Sequence, residues 1–263
     1  MAPAPRPGRN AAHRAAVSFQ DHYSAFAASY ARARPEYPGA LYRWLRTQAP
    51  SGGLAWDAGT GSGQAARGLV EVFERVVATD PSSEQLAQAP PHPRITYYTG
   101  SEIASGLVSG SADCVTAAQA AHWFDMAGFA TEARRTLRRG GLVAVWGYGL
   151  CRVSEAVDLV LDRFYTDVVG PHWPPERHHV DTAYRELPFP FAEVAWPPLA
   201  MEREWSLAQL LGYLDTWSAV HRYRKALGTD PLGPLVPELR RAWGAMEAVR
   251  RVTWPLFGRA GHT

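Results

Sequence analysis

The chain has little cysteine, little net charge and no long apolar run. Only Cys114 and Cys151 occur among 263 residues, both in or beside apolar stretches. Two such residues are too few for a disulfide framework and read as small buried hydrophobes. The formal charge is +2 and the pI about 8.6. That balance lacks the concentrated basic face typical of nucleic-acid binding. No apolar run approaches the roughly 20 residues of a membrane span, and the first residues lack the apolar core of a secretory signal. These features predict a cytoplasmic protein with neither nucleic-acid nor membrane partners. Tryptophan, by contrast, is plentiful. Ten are present, most after Trp123. They suggest an aromatic-lined cavity in that half, with ordinary core packing as the plainer alternative.

The most informative stretch is Asp57-Ala58-Gly59-Thr60-Gly61-Ser62-Gly63-Gln64. Leu54 to Trp56 before it is a short apolar run, and Ala65, Leu69 and Val72 after it recur at helical spacing. The pattern predicts a strand, a tight turn and a helix. Glycines serve where φ is positive or where a ligand lies against bare backbone. Dinucleotide folds share such a turn, but a carboxylate just before it would repel a pyrophosphate. Asp57 suits a ligand with an amine or a sulfonium. Asp80 ends the next apolar run, where a carboxylate can take two ribose hydroxyls. Its alternative is an N-cap with Pro81 at the first helical position.

Strands are expected at Leu54–Asp57, Val76–Thr79, Ile95–Tyr98, Cys114–Ala117 and Leu142–Gly147. Helices are expected at Gln64–Phe73, Glu84–Ala89 and Gly128–Leu137, the last ending in arginines that suit the helix dipole. This alternation predicts an α/β fold with a parallel sheet. Ligands in such sheets bind at the carboxyl ends of strands. Asp57, Asp80, Ser101, Glu102 and Gln119 then share one rim. Residues 1–16 read as a disordered tail, and 17–263 as one domain. Phe19, Tyr23, Phe26 and Tyr30 mark one face of a helix. After Tyr148 the alternation stops. Val153 to Phe164 reads as a helix, and Gly170 to Phe191, rich in Pro and His, as irregular. Glu193–Trp196 and Met201–Trp205 read as strands, Leu207–Trp217, Ser218–Leu227 and Leu235–Val249 as helices, and Arg251–Phe257 as a last strand. His172, His178 and His179 have no companion at a familiar ligand spacing, so no metal is expected.

The motifs Asp57–Gly63, Asp80 and Leu137-Arg138-Arg139-Gly140-Gly141-Leu142 resemble those of the class I S-adenosylmethionine-dependent methyltransferases. Gln119-Ala120-Ala121-His122-Trp123-Phe124-Asp125, Arg34-Pro35-Glu36-Tyr37-Pro38 and Tyr213–Ala219 are similar to the trans-aconitate methyltransferase-like branch, whose known members methylate carboxylates of small molecules. The resemblance implies a Rossmann-like doubly wound sheet, mostly parallel with an antiparallel edge, plus a mainly helical lid insertion at about 150–235. It implies S-adenosyl-L-methionine as cofactor. Tyr30, Arg34, Asp57, Gly59, Thr60, Gly61, Gln64, Asp80, Pro81, Ser101, Glu102 and Gln119 are the candidates to hold it.

The acceptor is expected to be a small molecule methylated on an oxygen, contacted by Trp123, Trp217 and Arg222. His122 follows the fourth strand, where an acceptor would approach. It is either a base or substrate contact, or a residue that fixes the Trp123–Phe124 turn by a hydrogen bond. Two rival readings are a nucleic-acid or protein methyltransferase and a non-catalytic cofactor binder. Against the first, Gln119-Ala120-Ala121-His122 stands where amino-methylating relatives carry Asn/Asp-Pro-Pro-aromatic.

Overall fold

The computed structural model describes residues 35–245 and 247–263. The expected tail, the aromatic stripe ending at Tyr30, and the candidates Tyr30 and Arg34 lie outside them. After α1 (Gly39–Gln48) come β1 (Leu54–Ala58), α2 (Gln64–Leu69), β2 (Arg75–Asp80), α3 (Ser83–Leu86), β3 (Ile95–Thr99), β4 (Ala112–Ala118), α4 (Met126–Thr136) and β5 (Leu137–Tyr148). The central strands are near-continuous apolar runs because helices cover both faces. β1, for example, is buried at all five positions. It pairs in parallel with β2 on one side and β4 on the other. The strand order therefore reverses beside β1, which opens a crevice at the carboxyl ends of the strands.

The chain continues through α5 (Glu155–Arg163), a wider π turn at Phe164–Val168, a 3-10 turn at Gly170–His172 and α6 (Arg177–Asp181). Then follow β6 (Ala192–Val194), β7 (Leu199–Trp205), α7 (Leu207–Asp215), α8 (Ser218–Leu227), α9 (Leu232–Trp243) and β8 (Arg250–His262). β8 runs antiparallel to β5, β6 and β7. The sheet is the expected Rossmann-like one, mostly parallel with an antiparallel edge. Among the described residues no helix is long and apolar enough to cross a membrane.

Several local expectations shift for identifiable reasons. α4 starts at Met126, ahead of the expected Gly128, because the Asp125 carboxylate accepts from the Ala127 and Gly128 amides at 3.1 Å each. It ends at Thr136, so only Arg134 and Arg135 lie in its last turn. Arg138 sits in β5 and pairs with Asp113 at 3.1 Å. α2 stops at Leu69, where a tighter turn buries Val70 and Phe73. Gly170 to Phe191 is not wholly irregular, since it holds α6. Trp217 is extended (φ −72°, ψ 132°) and caps α8 instead of ending α7. α9 spans Leu232–Trp243 and stops at Gly244, whose φ is +87°. The stretch expected as a mainly helical insertion also supplies β6 and β7, so it is stitched into the sheet.

Two apolar layers flank the sheet. On one side α1, α2, α7 and α9 bring Leu41, Leu69, Leu210 and Leu239 against Trp146 and Trp254. On the other, Phe129, Val180 and Tyr184 meet Trp56, Val115 and Val143. α1 and α2 approach closely at Gly68, where a Cβ would overlap the Tyr42 ring. Gly to Ala within a helix ordinarily gains about 1 kcal/mol. Overpacking costs about 1–3 kcal/mol, and Tyr42 is itself buried. Gly68→Ala is expected to lower the urea midpoint despite its better helix propensity. An unchanged or raised midpoint would show that the two helices can separate freely.

Candidate active site

A cavity of about 590 Å³ opens at the carboxyl ends of the strands. Its floor is the turn after β1. Gly59, Gly61 and Gly63 have φ of +65°, +56° and +79°, a region that favours glycine. Their surroundings differ. A Cβ at Gly59 would come within 2.7 Å of Ala120 Cβ, and one at Gly63 within 2.6 Å of the Tyr97 hydroxyl. Among the described residues a Cβ at Gly61 would find only Gln85 Oε1, 3.9 Å away. The outer glycines let the turn pack against protein, while Gly61 leaves room for a ligand.

Asp80 fixes that turn from β2. Its Oδ2 accepts from the Gly61 amide at 2.8 Å, and its Oδ1 from the Ser82 amide at 2.9 Å. Ser82, not Asp80, caps α3, its hydroxyl accepting from the Gln85 amide at 3.2 Å. Asp80 lines the cavity, as do Thr60, Gln64 and Pro81. Gln64 also donates to the Pro35 carbonyl at 2.6 Å.

Asp57 does not face the cavity. It is fully buried beneath the turn, where its two oxygens accept from the hydroxyls of Thr60 (2.6 Å) and Thr116 (2.8 Å). Burial pushes its pKa up to about 6, the two hydroxyls work against that rise, and the nearby Asp80 adds to it. The expectation of a ligand contact is thus corrected to a tie between β1, its turn and β4. Ser101 also stands off the cavity, in a small turn bridged to Ala104. Glu102 and Gln119 do line it. Gln119 has φ +53° and donates to the Tyr148 carbonyl at 2.9 Å, while its Oε1 is buried without a hydrogen bond.

These features fit the expected cofactor. The space over Gly61 admits a ligand against bare backbone. The Asp80 oxygens accept from the Gly61 and Ser82 amides at the edge of that space, and a carboxylate is the acceptor that ribose hydroxyls need. The Gln119 Oε1 is an acceptor awaiting a donor.

His122 and Trp123 occupy a 3-10 turn after β4 and also line the cavity. His122 Nδ1 lies 2.9 Å from the Tyr184 hydroxyl. Ala183 and Tyr184 have φ of +54° and +61°, backbone strain that sets the tyrosine beneath the imidazole. Burial, then Arg177 and His179, push the His122 pKa down to about 3. The ring is neutral at pH 7 and a poor proton acceptor.

Trp217 and Arg222 border the same space. So do Trp173 and Arg177, which sequence reasoning passed over by reading their segment as irregular. The available signal was Pro174-Pro175 two residues before Arg177, a common prelude to a helix. The Arg177 guanidinium lies 4.6 Å from the Trp173 ring centre and 5.4 Å from that of Tyr165. Its Nε donates to the Tyr165 hydroxyl at 2.7 Å and stands 3.4 Å from Asp181. The neighbouring histidines are used separately. His178 pairs with Glu186 at 2.8 Å, and the His172 ring meets Tyr223. Among the described residues no three His, Cys, Asp or Glu side chains gather as metal ligands.

Residues 56–145 match a family described as a methyltransferase domain. A provisionally named methyltransferase of Dictyostelium discoideum is 31% identical over 231 residues, covering 86% of this chain and 88% of its own. A solved structure from Anaeromyxobacter dehalogenans, provisionally named a type II methyltransferase, is 51% identical, with a TM-score of 0.83 over 87% of this chain and 97% of that one. A methyltransferase structure from Anabaena variabilis shares the fold at 16% identity and a TM-score of 0.51, over 86% of this chain and 99% of that one.

The Asp57 environment has a pH signature. Its pKa rises from 3.8 to about 6 on folding, so the folded protein keeps a proton that the unfolded chain has lost between those values. The resulting stability is full below about pH 4 and is lost as pH rises through about 6, up to about 3 kcal/mol for a shift of this size. Asp57→Asn removes that term. Its melting temperature relative to the natural protein is expected to be more favourable at pH 8 than at pH 4.5. A difference independent of pH would show that Asp57 has an ordinary pKa.

Proposed function

This chain belongs to the class I S-adenosylmethionine-dependent methyltransferases, and from that premise we propose that it methylates a small-molecule acceptor in the cytoplasm, on an oxygen of a carboxylate or hydroxyl. The observation that carries this reading is the cavity itself. At about 590 Å³ it lies within the range of small-molecule sites, concave and lined by both aromatic and polar side chains. Residues after β5 act as a lid over it, with Trp123, Trp217 and Arg222 as the acceptor contacts. The likeness of residues 119–125 and 213–219 to the trans-aconitate methyltransferase-like branch favours a carboxylate over a hydroxyl.

S-adenosylmethionine, when bound, supplies a methyl carbon made electrophilic by its sulfonium. The protein supplies position and exclusion of water. Asp80 and the backbone at Gly61 hold the ribose end. Thr60, Gln64, Pro81, Glu102 and Gln119 complete the lining of the cofactor half, with Tyr30 and Arg34 as further candidates. His122 touches the acceptor but does not take its proton, since its ring resists protonation in this setting. A carboxylic acid arrives ionised at pH 7, whereas a phenol with a pKa near 10 would need a base. The neutral His122 therefore argues in the same direction as the family likeness.

Two experiments test the reading. Calorimetry should show S-adenosylmethionine binding at least about tenfold weaker in Asp80→Ala, because lost hydroxyl contacts to a carboxylate are worth roughly 1.5–3 kcal/mol each. Gly61→Val should be worse, since its side chain would fill the ligand's space. Normal binding in both would sink the cofactor assignment. Product detection by mass spectrometry with a panel of small acids, phenols and oligonucleotides should find methyl esters. With the best acceptor, Trp217→Ala and Arg222→Lys should lower kcat/KM several-fold while leaving cofactor affinity unchanged. Methylated oligonucleotide as the main product would replace the small-molecule reading.

A further inference from the structure

We infer that Trp173 and Arg177 form an oxyanion site in the cavity wall, and that the acceptor carries a carboxylate bound there. The inference rests on the reading of the cavity as a small-molecule acceptor site and names the group that the site recognises. Two independent observations meet at this point. The Trp173 Nε1–H is buried and has no hydrogen bond among the described residues. The Arg177 side chain is only 18% exposed, and its one hydrogen bond uses Nε. Among the described residues its two terminal nitrogens make none. Buried donors without acceptors are rare and destabilising. The Trp173 indole is one such donor, and Arg177 lines the same cavity, so what the wall lacks is an acceptor-rich group.

The surroundings narrow its chemistry. Asp181 stands 3.4 Å from Arg177 Nε and accepts a hydrogen bond from the Tyr165 hydroxyl at 2.5 Å. It thus engages the near edge of the guanidinium and partly balances its charge. The terminal fork remains, and a planar fork matches the two oxygens of a carboxylate. One partly balanced cation and one indole N–H suit a monoanion better than a dianionic phosphate. Trp217, with its ring centre 5.6 Å from that of Trp173, offers the apolar body of the ligand a flat neighbour. The positive charge of Arg177 also helps keep His122 neutral, so the group that recognises the anion also suppresses the nearby base.

The test is calorimetry on protein saturated with S-adenosylhomocysteine, using benzoate, cinnamate and succinate, the corresponding amides, and phenyl phosphate. At least one acid is expected to bind tenfold or more tightly than its amide. Arg177→Met should abolish that preference, Arg177→Lys should recover only part of it, and Trp173→Phe, which keeps the ring and removes the N–H, should weaken the acid several-fold. S-adenosylhomocysteine affinity should stay within twofold throughout. If Arg177→Met fails to fold, Trp173→Phe decides. Equal binding of acids and amides, acid binding unchanged in the variants, or a preference for phenyl phosphate would overturn the site. The two readings can fail separately. Acids that bind through Arg177 but are never methylated on oxygen would leave the site standing and remove the proposed reaction. Oxygen methylation of an uncharged acceptor at full rate in Arg177→Met would do the reverse.

Discussion

The buried Asp57 carboxylate holds the cofactor end of the molecule together. It sits fully buried near the end of β1 and binds one hydroxyl from the turn and one from β4. Those two bonds set where the turn begins relative to the neighbouring strand. From there Asp80 pins the Gly61 amide from the other side. The turn is thus clamped between two acids on adjacent parallel strands, one inside the protein and one at the cavity. Burying a carboxylate is costly unless it is well bonded, and its raised pKa is the sign that the cost is only partly offset. The strain is accepted where the turn must be held in a single shape.

The cavity wall built after β5 uses different physics. Its residues hang from the chain after β5, and aromatic contacts hold them together. Trp217 meets Phe164, Tyr165, Trp173 and Tyr213, and Tyr213 meets Trp205 and Trp254. The buried Trp254 indole donates to the Tyr213 hydroxyl at 3.1 Å. This continuous packing runs from the cavity wall to β8. It gives polar groups such as Arg177 a rigid apolar mount.

Much of this was legible in the residues. Strand and helix periodicity located the parallel core, and the glycine turn with Asp80 located the cavity. The boundaries that moved did so where side chains spoke for the backbone, as when the Asp125 cap started α4 early. Asp57 was misplaced because a carboxylate before a glycine turn looks the same in sequence whether it faces ligand or protein. Of the two hydroxyls that hold it inside, Thr60 is local, but Thr116 lies 59 residues away. Arg177 was missed because its partners Tyr165 and Trp173 give no periodic signal in so short a helix. Trp217 was found, although as part of a helix it in fact interrupts.

β8 has a consequence for how such a chain can vary by inheritance. Its 13 residues pair with β7 at one end and with β5 and β6 at the other. The cavity wall after β5 is therefore not a cassette that recombination could lift out of the middle of the gene by itself. Exchanging the segment after β5 while keeping the old C-terminus would leave β7 facing a strand it was not matched to. A successful exchange has to carry both together, whereas the cofactor half before β5 can be kept as it is.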